Sequence, residues 1–232
     1  MNILVLSACS KSKCHDPVVE QPAVDAHTRT GLLHEASEQT ATAEALYTGR
    51  EHEHVTAAVE QFRQFATVDW YIVSAGFGLV NYKTLLPAYE ATFSNQSKAD
   101  LVDRAKQLGI DSAGRTKDKL IEAIGAAKDI PDDILALDLA TYDYVFVVLG
   151  REYLLAIQPA LNQVPAKTTA VVFAAESNRD LIEECTWIRS SEEDREHLGV
   201  TYMELKGRQL LELAERTSTA EELSDELAQT VS

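Results

Sequence analysis

The chain is short of positive charge. Its 21 Lys and Arg face 37 Asp and Glu, a formal charge of −16 at neutral pH, which excludes attachment to nucleic acid or anionic lipid by bulk charge alone. Cysteine is scarce as well. Cys9, Cys14 and Cys185 are an odd number and make no disulfide framework of the secreted kind, so a reducing cytoplasm suits them best. No apolar run approaches the ~18 residues that a membrane span requires, and no membrane partner is expected. The opening MNILVLSACSKSKC is too short in its apolar part and has no basic stretch ahead of it, so it reads as a first strand and not as a leader. Its glycines never gather into a Walker loop or a dinucleotide fingerprint, which argues against ATP hydrolysis and NAD chemistry. No cofactor is expected.

What is present is the composition of a folded domain, 45% hydrophobic and 25% charged over 232 residues. That length suffices for one sizeable core, or one core with a small added module. The acids are spread along the whole chain, with Ala, Thr and Val plentiful and Lys sparse, a pattern similar to proteins of halophiles. In strong salt the Debye length falls to ~3 Å near 1 M, so global repulsion matters less there than local charge.

Short apolar runs at residues 2–8, 69–75, 142–149 and 168–174 predict buried strands, with Val200 to Leu205 as a short fifth. Helical spacing at residues 52–66, at 152–161 and from Glu204 to Glu215 supplies the helices between and after them. From Ser10 to about Glu38 the chain reads mostly as loop. The expectation is an α/β core, a Rossmann-like mainly parallel sheet with helices on both faces, covering residues 1–96 and 126–216. Residues 217–232 read as a frayed acidic tail. Between the second and third strands lies more chain than one crossover helix needs. There, residues 97–125 predict two short helices joined by an extended turn, the first ended by Gly109 and the second capped by Thr116.

This insert resembles the SAP and Rho N-terminal helix-extended-helix family through Leu101, Ala105, Leu108, Gly109, Ile110, Lys117, Leu120, Ile121 and Ile124. The resemblance implies DNA or RNA as a partner, held by Lys106, Arg115, Lys117 and Lys119. From Lys98 to Lys128, seven Lys or Arg stand against five Asp or Glu, a local charge of +2 in a chain whose remainder carries −18. That is one basic island on an acidic protein. The alternative is a helical hairpin that packs on the core or binds a protein.

In parallel sheets the ligand site lies beyond the carboxyl ends of the strands. Those ends carry Cys9, Ser10, Lys11, Ser12 and Lys13 after the first strand, and Ser74, Gly76 and Gly78 after the second. Gly150 and Arg151 follow the third strand, and Glu176 and Asn178 the fourth. Small polar residues with two lysines past a strand end suit an anion or nucleotide. A lysine desolvated beside a second cation can also act as a nucleophile, and Lys11 next to Lys13 fits that description. Gly76 and Gly78 allow close approach of backbone to a ligand, or simply make a tight turn with Tyr89 and Phe93 as core cover. Cys9, Cys14 and His15 do not have the second cluster that a zinc site needs, so no metal is expected. Glu176 offers a carboxylate for acid or base work, and Arg151 a guanidinium for phosphate.

Cys9 to Lys13, Leu46-Tyr47-Thr48, Tyr71 to Val80, and Pro87, Tyr89, Thr92 and Phe93 together resemble a DUF6884-like family of unknown function related to the peroxide-stress protein YaaA. More remotely, the Cys-Ser-x-x-Lys start is similar to the catalytic core of archaeosine synthase, although His15 and Asp16 stand where that motif has Pro-Tyr. The resemblance implies a nucleotide or nucleobase ligand in the core, and with the strand-end reading above the catalytic candidates are Lys11, Lys13, Ser74, Tyr89 and Glu176. The function so implied is a nucleic-acid-associated enzyme of base modification or glycosidic-bond chemistry. The alternative is a non-catalytic DNA-binding or nucleotide-sensing protein.

Overall fold

The computed structural model describes residues 1–230. In chain order its strands are β1 (Asn2–Ala8), β2 (Val19–Glu20), β3 (Thr40–Thr42), β4 (Thr67–Ser74), β5 (Gly78–Asn81), β6 (Leu85–Pro87), β7 (Tyr89–Glu90), β8 (Tyr144–Val148), β9 (Thr169–Ala174) and β10 (Thr186–Arg189). The helices of its first half are α1 (Gln21–Ala26), α2 (Arg29–Glu35), α3 (Ala43–Leu46), α4 (Arg50–Phe62) and α5 (Lys98–Gln107). Those of the second half are α6 (Lys117–Ala127), α7 (Ile130–Leu135), α8 (Arg151–Leu161), α9 (Glu192–Leu198), α10 (Leu205–Arg216) and α11 (Ala220–Thr230).

The protein is α/β, built on a six-stranded sheet in the order β10-β9-β8-β1-β4-β5, in which only β5 runs antiparallel. The strands at its centre are apolar on both faces because both faces are covered. On β1, Ile3 and Val5 enter one core with α4, α10 and α11, whereas Leu4 and Leu6 enter a second with α5, α6, α7 and α8. β8 divides the same way, Phe146 and Val148 against Val145 and Val147. Among the five parallel strands, the second and third to be laid down, β4 and β8, flank the first on opposite sides. The direction of winding therefore reverses between β1 and β8, the kind of point beyond whose strand ends open α/β sheets generally take their ligands.

Several expectations need correction. The strand expected at Val200 to Leu205 is a turn that leads into α10, and the fifth parallel strand is β10, in the segment that holds Cys185 just before it. β10 escaped notice because its side chains are half-buried or exposed and show no apolar run. The stretch from Ser10 to Glu38 contains β2, α1 and α2. The acidic C-terminal residues fold as α11, with Leu223 and Leu227 buried against the first core, and Val231 and Ser232 lie outside the described residues. Four residues of spacing put both leucines on one helical face, which provides the apolar contact that holds the helix.

The two helices expected within 97–125 form as α5 and α6, and Thr116 caps the second through its side chain, which accepts from the Lys119 amide. Leu101, Ala105, Leu120, Ile121 and Ile124 are fully buried in the second core. The pair therefore forms part of the layer over the sheet.

Candidate functional site

The loop after β1 does not wander. Lys13 pairs with Tyr47 across an antiparallel bridge, the Cys14 amide donates to Leu46 O at 2.9 Å, and the Thr48 amide donates to Ser12 O at 3.1 Å. Two further ladders, β2 with β7 and β3 with β6, zip the excursion after β1 to the one after β5. Segments distant in sequence thus converge above the carboxyl ends of β1 and β4.

At the centre is a chain of hydroxyls. Ser74 ends β4 and meets Tyr89 at 2.6 Å, and Tyr89 meets Tyr47 at 2.7 Å. Ser74 Oγ also accepts from the amides of Gly76 at 3.2 Å and Phe77 at 3.0 Å. Above the rings sits Lys13, its Nζ 4.7 Å from the Tyr89 centroid and 5.7 Å from that of Tyr47, a cation–π arrangement. Its ammonium donates to Ser10 O at 3.1 Å and Lys11 O at 3.3 Å. Burial pushes the Lys13 pKa below its ordinary value. Tyr47, Tyr89 and Tyr153 move upward, because burial and then the charge of a Cys9 thiolate both disfavour phenolate. All three remain neutral phenols. Cys9 lies half-buried at the β1 end, its Sγ 3.2 Å from Tyr153 Oη.

Beneath this cluster is a buried ionic one. The Arg104 side chain, fully buried on α5, donates to both carboxylate oxygens of Asp25 on α1, from Nε at 2.9 Å and Nη2 at 3.1 Å. Nη2 also donates to Ala75 O at 2.5 Å, directly after Ser74. Lys128 Nζ adds a second cation to Asp25 at 2.6 Å. Two cations share one carboxylate under the turn that positions Ser74.

The sequence candidates divide accordingly. Lys13, Ser74 and Tyr89 come together, and Cys9 stands beside them at the same rim, its amide bonded to Val73 O at 3.1 Å. Lys11 does not join them. It is exposed, and the desolvated lysine is Lys13, through burial rather than through a neighbouring cation. Ser10 shapes the loop, its hydroxyl donating to Ser12 O at 2.6 Å and accepting from the Gly49 amide at 3.2 Å, and Ser12 is exposed. Gly76 is a close-approach glycine, but the groups that approach are protein. A Cβ there would meet Tyr89 at 2.8 Å and Val24 at 2.9 Å. Gly78 has φ +72 and faces Lys128 O, which a Cβ would meet at 2.6 Å.

Gly150 caps α8, and Arg151 and Asn178 meet at 3.3 Å, further along the same rim. Arg151 is engaged by Asp118 at the start of α6, at 2.9 Å. Glu176, beyond β9, is exposed, and its nearest charge is Arg189 at 3.8 Å. Strands β8 and β1 separate it from Ser74. On the two helices, Lys106 pairs with Asp103 at 3.0 Å and Lys119 with Glu122 at 2.5 Å, while Arg115 Nε donates to Asp111 O at 2.6 Å. Lys117 is half-buried. Among the described residues no group of three or more His, Cys, Asp or Glu is arranged to hold a metal ion, and Cys14 is exposed while Cys9 turns to Tyr153.

Tyr47, Tyr153, Arg104 and Asp25 escaped the sequence reading as site residues. Tyr47 stood in a quoted motif but without a role, and Arg104 counted only as one of several surface charges. A signal did exist for Arg104, since it falls between Leu101 and Ala105 on the apolar face of an amphipathic helix.

Residues 33–125 match a family of unknown function, DUF6884. The match takes in Tyr47, Ser74, Tyr89 and Arg104, and leaves Cys9 to Lys13 outside it. No curated protein and no solved structure matches the chain. No helix among the described residues is long and apolar enough to cross a membrane.

Proposed function

We propose that this protein is an enzyme acting on a nucleobase or nucleotide at the carboxyl rim of the sheet, with Lys13 as its amine. The observation that carries this reading is the position of Lys13. It has no carboxylate within ion-pair distance among the described residues, lies over two aromatic rings and has a depressed pKa. A lysine meant only to hold charge gains from staying fully protonated, whereas an amine that attacks carbon must lose its proton. The strand order supports the Rossmann-like reading of the core, in which ligands are taken beyond the carboxyl ends of the strands, the side on which the loop bearing Lys13 follows β1. In this reading Gly150, Arg151 and Asn178 bind the ligand's anionic part, and DNA or RNA contacts the surface of α5 and α6. Of the four cations expected to make that contact, Lys106 and Lys119 are paired to acids, which leaves Arg115 and Lys117.

The test is incubation with nucleosides, nucleotides and short DNA or RNA, followed by mass spectrometry, for the native protein, Lys13→Ala and Lys13→Arg. A product should form, and both variants should lose it. Arginine keeps the charge but cannot supply a free amine. Its rate should rise with pH towards the Lys13 pKa, which lies below 10.5. Activity preserved in Lys13→Arg would reduce Lys13 to an anion holder.

A second reading, binding without catalysis, is favoured by the enclosure of Ser74 and Tyr89, both fully buried. Retention of a nucleotide with no product under any condition would select it.

A further inference from the structure

The segment that carries Tyr47 is tied to α4 by a histidine whose tautomer the geometry fixes. His52 lies in the first turn of α4, is 4% exposed, and brings Nε2 to 2.9 Å from Glu44 O on α3. A carbonyl oxygen only accepts, so Nε2 carries the hydrogen, and in the neutral ring Nδ1 is a bare acceptor. Nδ1 is enclosed and meets no hydrogen-bond partner among the described residues. The ring lies against Trp70 of β4, with centroids 5.1 Å apart, and edge to face against Tyr47 at 5.7 Å. Neither neighbour has a polar group to spare. Trp70 donates its N–H to Ser7 Oγ at 2.9 Å, and the Tyr47 hydroxyl is engaged with Tyr89 and Ser74.

We propose that His52 is a positioning residue for the Lys13 site, a latch that stays closed while its imidazole is neutral and frees residues 43–48 when it takes up a proton. Protonation would place a second N–H at Nδ1, where nothing accepts it, and a full charge in a desolvated place at the positive end of a helix. The groups around the ring do not offset this. Glu53 on the same helix and the Glu44 carbonyl favour the cation, but burial outweighs them and holds the His52 pKa below the ordinary histidine range. Glu51 is turned to Lys206 of α10 at 3.1 Å, and the Tyr47 phenol stays neutral. The consequence reaches Lys13 through the bonds between the two loops. α3 ends at Tyr47, Tyr47 bridges Lys13, Leu46 O accepts from the Cys14 amide and Ser12 O from the Thr48 amide. A ring driven from its place takes away the bond to Glu44 and the wall behind Tyr47, and Lys13 loses its fixed position over the two phenols. That this regulates a reaction rests on the reading of Lys13 as the reactive amine; the latch itself does not.

The sign follows from linkage. A histidine whose pKa is lower folded than unfolded contributes stability that is complete above the unfolded value, ~6.5, and is lost as pH falls below it, by at most about tenfold in the equilibrium constant per pH unit. The test compares the full native chain with His52→Gln, whose amide can donate to Glu44 O but has no proton to gain. Amide hydrogen exchange, corrected for the intrinsic rate, reads the Cys14 and Thr48 amides. In the native protein their protection should fall below about pH 6.5 by up to tenfold per unit, while His52→Gln keeps its protection over the same range. A ratio of native to variant protection that does not change with pH would overturn the inference, because a side chain that merely fills space acts equally at every pH. Should His52→Gln fail to fold, the native protein decides. With ¹⁵N-labelled histidine near neutral pH, Nδ1 of His52 should show the shift of a bare nitrogen, and the loss of amide protection should track its titration. A hydrogen on Nδ1, or titration without any loss of protection, would overturn the inference. These results leave the reading of Lys13 untouched, since Lys13→Arg tests that reading by product formation alone.

Discussion

Asp25 carries more of the structure than any one of its partners does. Its carboxylate is nearly enclosed, with side-chain exposure of 2%, and it compensates two cations, Arg104 at 0% and Lys128 at 12%. Removing one member of a buried pair is costly chiefly because of the uncompensated charge left behind, about 3–5 kcal/mol. The arithmetic of this trio therefore ranks its variants. Arg104→Met leaves Asp25 and Lys128 as a balanced pair and removes a guanidinium whose Nη1 has no partner. Asp25→Asn leaves two cations facing each other with nothing between them. Urea unfolding should show Asp25→Asn as the more damaging, by about 3 kcal/mol or more, with Arg104→Met clearly milder. A larger loss for Arg104→Met would mean that its bond to Ala75 O, and not charge balance, dominates. None of this was legible from residue identity, because an arginine on a helix is solvated far more often than enclosed. What encloses this one is a contact 79 residues away in sequence.

At the scale of elements, legibility followed burial on both sides. β1, β8, β9 and the second half of β4 are covered on both faces and so show as continuous apolar runs, whereas β10 is covered too lightly to show one. The short ladders β2–β7 and β3–β6 depend on partners 43 or more residues away and leave no local period. For the same reason the convergence of Lys13 with Tyr47 and Tyr89 could not be read from spacing, although the rim that bears all three could be. The packing of α10 on α4 shows how an element contact can hang on one position. Gly207 lies against the backbone of Glu51, and a Cβ there would meet Glu51 O at 2.6 Å and Glu51 Cγ at 3.0 Å. The carbonyl belongs to a helix and cannot yield as a flexible side chain would. Gly207→Ala, normally a gain in helix propensity, should destabilise the fold by about 1–3 kcal/mol through overpacking. Because Glu51 is also the partner of Lys206, at 3.1 Å, the same change should loosen that ion pair. A rise in thermal midpoint for Gly207→Ala would show that α10 can shift outward at no cost.

For the whole molecule the governing quantity is charge. A chain carrying −16 repels itself when compact, and much of what opposes that repulsion is shallow. Pairs such as Lys106–Asp103, Arg195–Glu192 and Arg208–Glu215 are local and partly or wholly exposed, and such pairs are worth little. Added salt weakens both, but unequally. The excess of like charge acts over the whole surface and is screened as the Debye length shrinks from ~10 Å at 0.1 M to ~3 Å at 1 M. The Asp25 trio is buried and barely screened, so the compact state keeps its strongest ionic contact while losing most of its self-repulsion. The thermal midpoint should therefore rise steadily between 0.1 M and 1 M salt. It should rise nearly equally in sodium and potassium chloride, because screening depends on ionic strength and not on the identity of the cation. A midpoint that falls over this range would show that surface ion pairs hold the fold together. A rise confined to one cation would point to specific binding by the acidic surface.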